Sequence, residues 1–94
     1  MDIRKGRLQM INWSFLPPGK SFSAHYHEDM DEIFIIISGK AEIHVGEEKT
    51  ILKKGDAVII PAKAVHVMEA LSGKAVEYIA LGISQEKSGK TIVT

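Results

Sequence analysis

Gly and Pro residues interrupt this sequence at short intervals, and this punctuation is its strongest constraint on the fold. Turn signals recur about every 8 to 12 residues along the 94-residue chain. The intervening segments are rich in Ile and Val, and β-branched side chains favour strands over helices. About eight short strands are therefore predicted, at 8–16, 21–27, 32–38, 41–45, 49–53, 57–60, 65–71 and 75–81. No ten-residue window keeps a helical apolar stripe, so the sequence predicts an all-β barrel.

The third predicted strand is apolar on both of its faces. Alternation places Glu32, Phe34 and Ile36 on one face. The isoleucines of the other face are Ile33, Ile35 and Ile37. A strand with two apolar faces needs cover on both sides. We expect one side to form the barrel interior, and the other to be covered by the N-terminal segment, a second sheet or another subunit.

Two histidines separated by one residue, His25 and His27, lie in the second predicted strand. Because a strand rises about 3.3 Å per residue, both side chains share one face about 6.6 Å apart. Glu32 follows a short polar loop, and His66 comes soon after Pro61. Imidazole nitrogens and a carboxylate oxygen are ligands that suit a borderline divalent metal. We therefore predict that His25, His27, Glu32 and His66 hold one metal ion inside the barrel.

The composition excludes several classes of function. Twelve basic and twelve acidic residues give a formal net charge of zero, which argues against nucleic acid or an anionic membrane as a partner. The absence of cysteine excludes disulfides and thiolate metal sites. No long apolar segment indicates a signal peptide or a membrane span, so a cytoplasmic location is expected. The length predicts one domain, 1–94, with a polar tail at 84–94 in which 91–94 could add an edge strand.

The first of two motifs, residues 19–39, resembles that of the cupin family of small β-barrel proteins. The family pattern is Gly, five residues, His-x-His, three or four residues, Glu, six residues and Gly. Its positions in this chain, without departure, are Gly19, His25, His27, Glu32 and Gly39.

The second motif, residues 55–70, resembles the family pattern less closely. Gly55 and Pro61 stand at the expected spacing, and His66 follows at the expected distance. Lys63 replaces the family's second glycine and Ala70 replaces its asparagine. Since glycine tolerates a positive φ more readily than a residue with a side chain, the departure at Lys63 bears on the shape of this loop.

Membership of the cupin family would imply a double-stranded β-helix, or jelly-roll, barrel. The resemblance also assigns the same four side chains to a divalent ion such as iron, manganese, nickel, zinc or copper. It implies a small-molecule ligand or substrate, and it implies a homodimer because related small cupins commonly pair through their sheets.

Two kinds of function remain open for such a site, besides a structural barrel whose metal only fastens the strands together. One is a metal-dependent enzyme, for example a dioxygenase or an isomerase, which needs an acid or a base beside the metal. The candidates are Glu77 and Tyr78, which alternate on the last long strand so that only one of them points inward. The other is a non-catalytic module that senses or binds a small ligand, which the scarcity of inward polar groups favours.

Further side chains have a structural and a functional interpretation. Apolar residues that either line a pocket or form plain core are Trp13, Phe15, Phe34, Ile36 and Met68. Asp31 is interpreted as part of a solvated turn, with the alternative that it covers the metal or replaces Glu32. His44 is expected to be a solvated strand residue. Lys63 is either a surface lysine or a group that attracts an acidic substrate.

Overall fold

Two antiparallel β-sheets form the computed structural model, which describes residues 7–22, 29–71 and 73–84. The strands are β1 (Arg7–Leu16), β2 (Met30–Ser38), β3 (Lys40–Val45), β4 (Glu48–Lys53), β5 (Ala57–Ile60), β6 (His66–Ala70) and β7 (Val76–Ser84). The larger sheet has the strand order β1-β7-β2-β5, and the smaller sheet has the order β4-β3-β6. This two-sheet arrangement confirms the predicted all-β, jelly-roll fold.

The observed strands differ from the predicted ones mainly at their ends. β2 begins at Met30 and β7 extends to Ser84, so both are longer than the sequence predicts. Of the predicted strand 21–27, only the beginning is described, where Ser21 forms an antiparallel bridge with Glu69. The predicted edge strand 91–94 lies outside the described residues. Within the described part of the chain, no helix has the length and apolar character needed to cross a membrane.

The core lies between the two sheets and is built from alternate residues of each strand. Its buried apolar residues are Leu16, Phe34, Ile36, Ala41, Ile43, Leu52, Ile60, Met68, Ala70, Val76 and Ala80. β3 shows the predicted alternation, because Ala41 and Ile43 are buried whereas Glu42 and His44 are partly exposed and contact each other at 3.1 Å. The solvated position predicted for His44 therefore agrees with the structure.

The outer surface of the larger sheet is apolar on each of its described strands. The register aligns Trp13 of β1 with Ile79 of β7, and Ile79 with Ile35 of β2. Ile33 of β2 in turn pairs with Ile59 of β5. We call this surface the outer apolar face; its residues are Leu8, Ile11, Trp13, Phe15, Ile33, Ile35, Ile59, Ile79, Leu81 and Ile83. The predicted outward position of Ile33 and Ile35 is thus confirmed.

Trp13 and Phe15 belong to this outer apolar face and are each 66% exposed. The prediction that they line an internal pocket or form core is therefore wrong. The physical reason is the phase of β1, because the register places Ser14 opposite Tyr78 and Leu16 opposite buried Val76. Even-numbered residues at this end of β1 therefore face inward, and the odd-numbered aromatic residues face outward.

Gly39 makes the turn between β2 and β3 possible. Its φ is 89°, and a Cβ atom at this position would lie 2.5 Å from the carbonyl oxygen of Ala75. Only glycine accepts both the left-handed backbone and this close approach. The last glycine of the first motif is thus required by packing.

Candidate metal centre

Glu32 of β2 and His66 of β6 meet between the two sheets. Glu32 Oε1 lies 2.8 Å from His66 Nε2, and the side chains are only 5% and 1% exposed. The structure thus brings together two of the four predicted metal ligands. The other two, His25 and His27, lie outside the described residues.

The second ring nitrogen of His66 constrains the chemistry of this contact. His66 Nδ1 lies 3.0 Å from the carbonyl oxygen of Ala64, which can only accept, so Nδ1 carries a proton and donates it. In a neutral imidazole, Nε2 then presents a lone pair towards Glu32 Oε1, which is also an acceptor. Two acceptors at 2.8 Å require either a proton between them or a cation beside both.

The Glu32–His66 pair fits a divalent metal ion in its donor chemistry. Metal–nitrogen and metal–oxygen bonds are about 2.1 Å long, so two ligands at a right angle lie about 3 Å apart, close to the observed 2.8 Å. A metal-binding histidine typically donates its other N–H to a carbonyl or carboxylate oxygen, as His66 does. Within residues 7–22, 29–71 and 73–84, however, no group of three or more such side chains could hold a metal.

Aromatic rings surround the His66 imidazole. Phe22 and Phe34 contact it edge-on, with ring centroids 6.0 and 5.8 Å away. The Tyr78 ring in turn contacts Phe34 at 5.6 Å. These rings keep water away from the pair and strengthen electrostatic interactions there. Phe22 lies only three residues before His25 in the sequence.

The segment that leads to Phe22 pairs with the strand that carries His66. Gly19 N–H donates to Ala70 O at 3.1 Å, and Ala70 N–H donates to Lys20 O at 3.0 Å. Ser21 continues this pairing through its bridge with Glu69. The chain therefore runs along β6 shortly before it reaches the two predicted histidine ligands.

The turn between β5 and β6 holds the backbone that His66 Nδ1 contacts. Ala64 N–H donates to the Pro61 carbonyl oxygen at 3.1 Å. Ala62 N–H donates to the Asp31 carboxylate at 2.8 Å. The interpretation of Asp31 as a solvated turn residue is therefore wrong, because its side chain binds this turn from the neighbouring strand.

Lys63 lies at the centre of this turn and has a φ of 71°. The position thus keeps the left-handed backbone that the family's glycine would adopt, although a side chain is present. A left-handed conformation costs an L-residue roughly 1–2 kcal/mol. This turn therefore contains local strain that glycine would not have.

Replacing Lys63 with glycine should stabilise the fold by about 1 kcal/mol, because the relief of strain outweighs the extra entropy of glycine in the unfolded chain. The measurement is urea-induced unfolding. Lys54→Gly is the matched control, since Lys54 also lies in a turn but has no positive φ. It should be neutral or destabilising. Equal losses of stability in the two variants would contradict the strain at Lys63.

The two predicted catalytic candidates lie on opposite faces of β7. Tyr78 packs against the core, and its hydroxyl forms a hydrogen bond with Ser14. Burial raises the pKa of the Tyr78 phenol; the hydrogen bond with Ser14 opposes this rise, and the negative charge of Glu32 adds to it. The phenol therefore stays protonated at neutral pH and can donate a hydrogen bond.

Glu77 faces outward and is bound within the outer apolar face. The Trp13 indole N–H donates to Glu77 Oε2 at 2.6 Å, and the Ser38 hydroxyl donates to Oε1 at 3.4 Å. Of the two candidates, Tyr78 is thus the one that shares the inner face with Glu32.

A cleft of about 700 Å³ opens between the β3–β4 hairpin and the β5–β6 turn. Its apolar walls include Val45, Val58, Pro61 and Ala64, and its rim carries Glu47, Glu48, Lys49 and Thr50. Pro61 and Ala64 also belong to the turn that holds His66. The volume is within the range of about 300–1,000 Å³ that is typical of small-molecule pockets.

Residues 12–82 match the family model of the cupin domain. This chain belongs to the cupin family. The resemblance that the two motifs indicate is thereby confirmed.

Relatives of this cupin include an uncharacterised protein of Methanocaldococcus jannaschii, 34% identical over 68 residues, or 72% of this chain and 54% of that protein. A mannose-1-phosphate guanylyltransferase of Salmonella typhimurium is 27% identical over 67 residues, or 71% of this chain but 14% of that enzyme. The cupin thus spans about half of the first relative and a small part of the second. A Thermotoga maritima structure, described as a predicted oxalate decarboxylase, has a TM-score of 0.79 and 27% identity, and the match covers 83% of this chain and 68% of that one.

Sequence reasoning missed Ser14 and did not find the contact that Asp31 makes. Ser14 interrupts an apolar segment, and a polar residue there could have indicated a buried hydrogen bond. Asp31 shows no such signal, because its partner Ala62 is remote in sequence and contributes only a backbone N–H.

Proposed function

We propose that this cupin binds one divalent metal ion through His25, His27, Glu32 and His66, and binds a small molecule beside it. The observation that supports the proposal is the buried contact of 2.8 Å between Glu32 and His66. These side chains stand at two of the family's four ligand positions, and two acceptors this close accommodate either a shared proton or a metal cation. By the first motif, His25 and His27 would add two imidazole nitrogens.

The residues around the pair support small-molecule binding. A divalent ion, when bound, supplies Lewis-acid polarisation of a carbonyl or enolate oxygen and can support dioxygen chemistry. The phenol of Tyr78, held by Ser14, is a neutral hydrogen-bond donor on the inner face. Phe22 and Phe34 exclude water from the same region. The cleft lined by Pro61 and Ala64 offers room for a small ligand next to the turn that holds His66, although His66 itself does not line it.

Two forms of this function have separate support. The Thermotoga maritima structure, described as that of a predicted oxalate decarboxylase, supports an enzyme that acts on a small molecule. The outward position of Glu77 supports a non-catalytic binding or sensing module, because it removes one candidate for a base beside the metal. Turnover assays with iron, manganese and nickel forms distinguish the two.

Purified protein should take up close to one equivalent of zinc, manganese, iron, nickel or copper, as measured by elemental analysis after desalting. His66→Ala should lower the affinity by more than about 100-fold, since it removes a direct ligand. His44→Ala is the matched control and should keep full occupancy, because His44 is a partly exposed residue of the smaller sheet. Affinity should fall as pH drops below about 6, where protons compete for the imidazoles. A wild-type protein that takes up none of the five ions would contradict the proposal.

We propose also that the protein is a homodimer that pairs through the outer apolar face. Leu8, Ile11, Trp13, Phe15 and Ile59 are between 59% and 67% exposed. At roughly 100–150 Å² each, they leave about 600 Å² of apolar surface in water. With the half-buried isoleucines, the face approaches the roughly 800 Å² per partner of a stable interface, and it exceeds the patch of a typical monomer. Glu77 is bound within the chain, so a second copy need not supply a donor to it.

A further inference from the structure

Asp31 connects the two described residues of the proposed metal site. It precedes Glu32 on β2, and its carboxylate accepts the Ala62 N–H at 2.8 Å. Two residues further along the turn, the Ala64 carbonyl oxygen accepts the proton of His66 Nδ1 at 3.0 Å. His66 Nε2 then lies 2.8 Å from Glu32 Oε1. These contacts connect Asp31, through the β5–β6 turn and His66, to its neighbour Glu32 on β2.

We propose that Asp31 is a positioning residue for His66. By holding the Pro61–Ala64 turn, it aims the Ala64 carbonyl at Nδ1, keeps the proton on that nitrogen, and directs the lone pair of Nε2 towards Glu32. This inference rests on the proposed metal site for its consequence, but the protonation of Nδ1 is a property of the metal-free protein. Asp31 itself contacts neither Nε2 nor the proposed ion.

The strain at Lys63 explains why the turn needs such a contact. A residue with a φ of 71° favours other backbone conformations unless its surroundings hold it. The bond from Ala64 N–H to Pro61 closes the turn locally, whereas the bond from Ala62 N–H to Asp31 attaches it to the sheet. Because a carboxylate acceptor forms a stronger hydrogen bond than a neutral group does, Asp31 suits this role.

Nitrogen-15 NMR of the histidine rings in the metal-free protein, at about pH 8 where free imidazoles are neutral, tests the inference directly. Wild-type His66 should carry a proton on Nδ1, whichever of the two atoms holds the proton shared by Nε2 and Glu32 Oε1. Asp31→Asn keeps an oxygen acceptor for Ala62 N–H and should preserve this state. Asp31→Ala removes the acceptor, and the ring should exchange between protonation at Nδ1 and at Nε2.

Zinc affinity provides the second readout. Asp31→Ala should weaken zinc binding about 10–100-fold, the usual effect of losing a residue that orients a ligand, while Asp31→Asn should stay within about threefold of wild type. Asp56→Ala is the matched control, because the Asp56 carboxylate likewise accepts a backbone N–H, that of Lys53, at 2.9 Å in another turn. It should leave His66 protonation and zinc affinity unchanged. If Asp31→Ala does not fold, the same comparison is made in the presence of an osmolyte such as trimethylamine N-oxide, which favours the folded state and leaves the strain at Lys63 in place.

The outcomes separate this inference from the proposed function. Unchanged Nδ1 protonation and zinc affinity in Asp31→Ala would overturn the positioning role. A wild-type protein that binds no zinc would defeat the metal site, yet the NMR comparison would still decide whether Asp31 orients His66. Equal effects of Asp31→Ala and Asp56→Ala would also overturn it, since both would then reflect a general loss of stability.

Discussion

Replacing His66 with leucine should destabilise the metal-free protein by about 3–5 kcal/mol, the loss typical when a buried carboxylate is left without its partner. The Glu32 carboxylate is 5% exposed and would lose its contact with His66 Nε2. Leucine restores neither a proton nor a positive charge beside it. The measurement is urea-induced unfolding in the presence of a chelator, which removes any contribution of bound metal.

Two further variants show whether the loss comes from the pair and not from packing. The double variant Glu32→Leu/His66→Leu should recover most of the stability, because it leaves no buried charge. Glu32→Gln should stay within about 1 kcal/mol of wild type, since its amide N–H can donate to Nε2 while His66 keeps its proton on Nδ1. The same variant should lose metal binding, because a neutral amide replaces the anionic ligand.

His44→Leu is the control for the Glu32 and His66 variants, because His44 is partly exposed on β3. Its effect should stay within about 0.5 kcal/mol, as for most surface substitutions. A loss below about 1 kcal/mol in His66→Leu would mean that the pair is not desolvated. A double variant no more stable than His66→Leu would show that the loss arises from cavity or shape and not from the charge.

The succession of strands and turns along the chain follows from local chemistry, so it can be predicted from the sequence. Glycines mark the turns on either side of β3, and β-branched residues fill the strands between them. Glu32 and His66 could also be paired in advance, since motif spacing constrains them and alternation places Glu32 on the face of Phe34. Each of these features depends on a turn signal, an alternation or a motif that lies within a short stretch of the chain.

The phase of β1 could not be predicted in the same way. Large apolar residues occupy both faces of this strand, so alternation alone does not tell which face is buried. The answer lies in the pairing of Ser14 with Tyr78, which is a contact between the two ends of the chain. The contact of Asp31 could not be predicted either, because no sequence pattern identifies a carboxylate that accepts a hydrogen bond from a backbone N–H 31 residues away.

Replacing Ile79 with glutamate should convert the proposed homodimer into a monomer. Ile79 lies at the centre of the outer apolar face, between Trp13 of β1 and Ile35 of β2 in the register. In a symmetric dimer each substitution occurs twice, so two carboxylates would lose water in one interface. Burying an unpaired charge costs several kcal/mol, and a loss of about 4 kcal/mol weakens the dissociation constant roughly 1,000-fold.

Sedimentation velocity at about 1–100 µM covers the affinities expected of a stable interface and should show a dimer for wild type and a monomer for Ile79→Glu. The matched control is Ile51→Glu, an identical substitution at a side chain that is 45% exposed on β4 of the smaller sheet. It should remain dimeric, because that sheet lies outside the proposed interface. Circular dichroism of both variants establishes that they keep the β-fold. A monomeric wild type would mean that no second copy covers the outer apolar face. Dissociation of both variants alike would mean that loss of the dimer does not depend on this face, which would contradict the proposed interface.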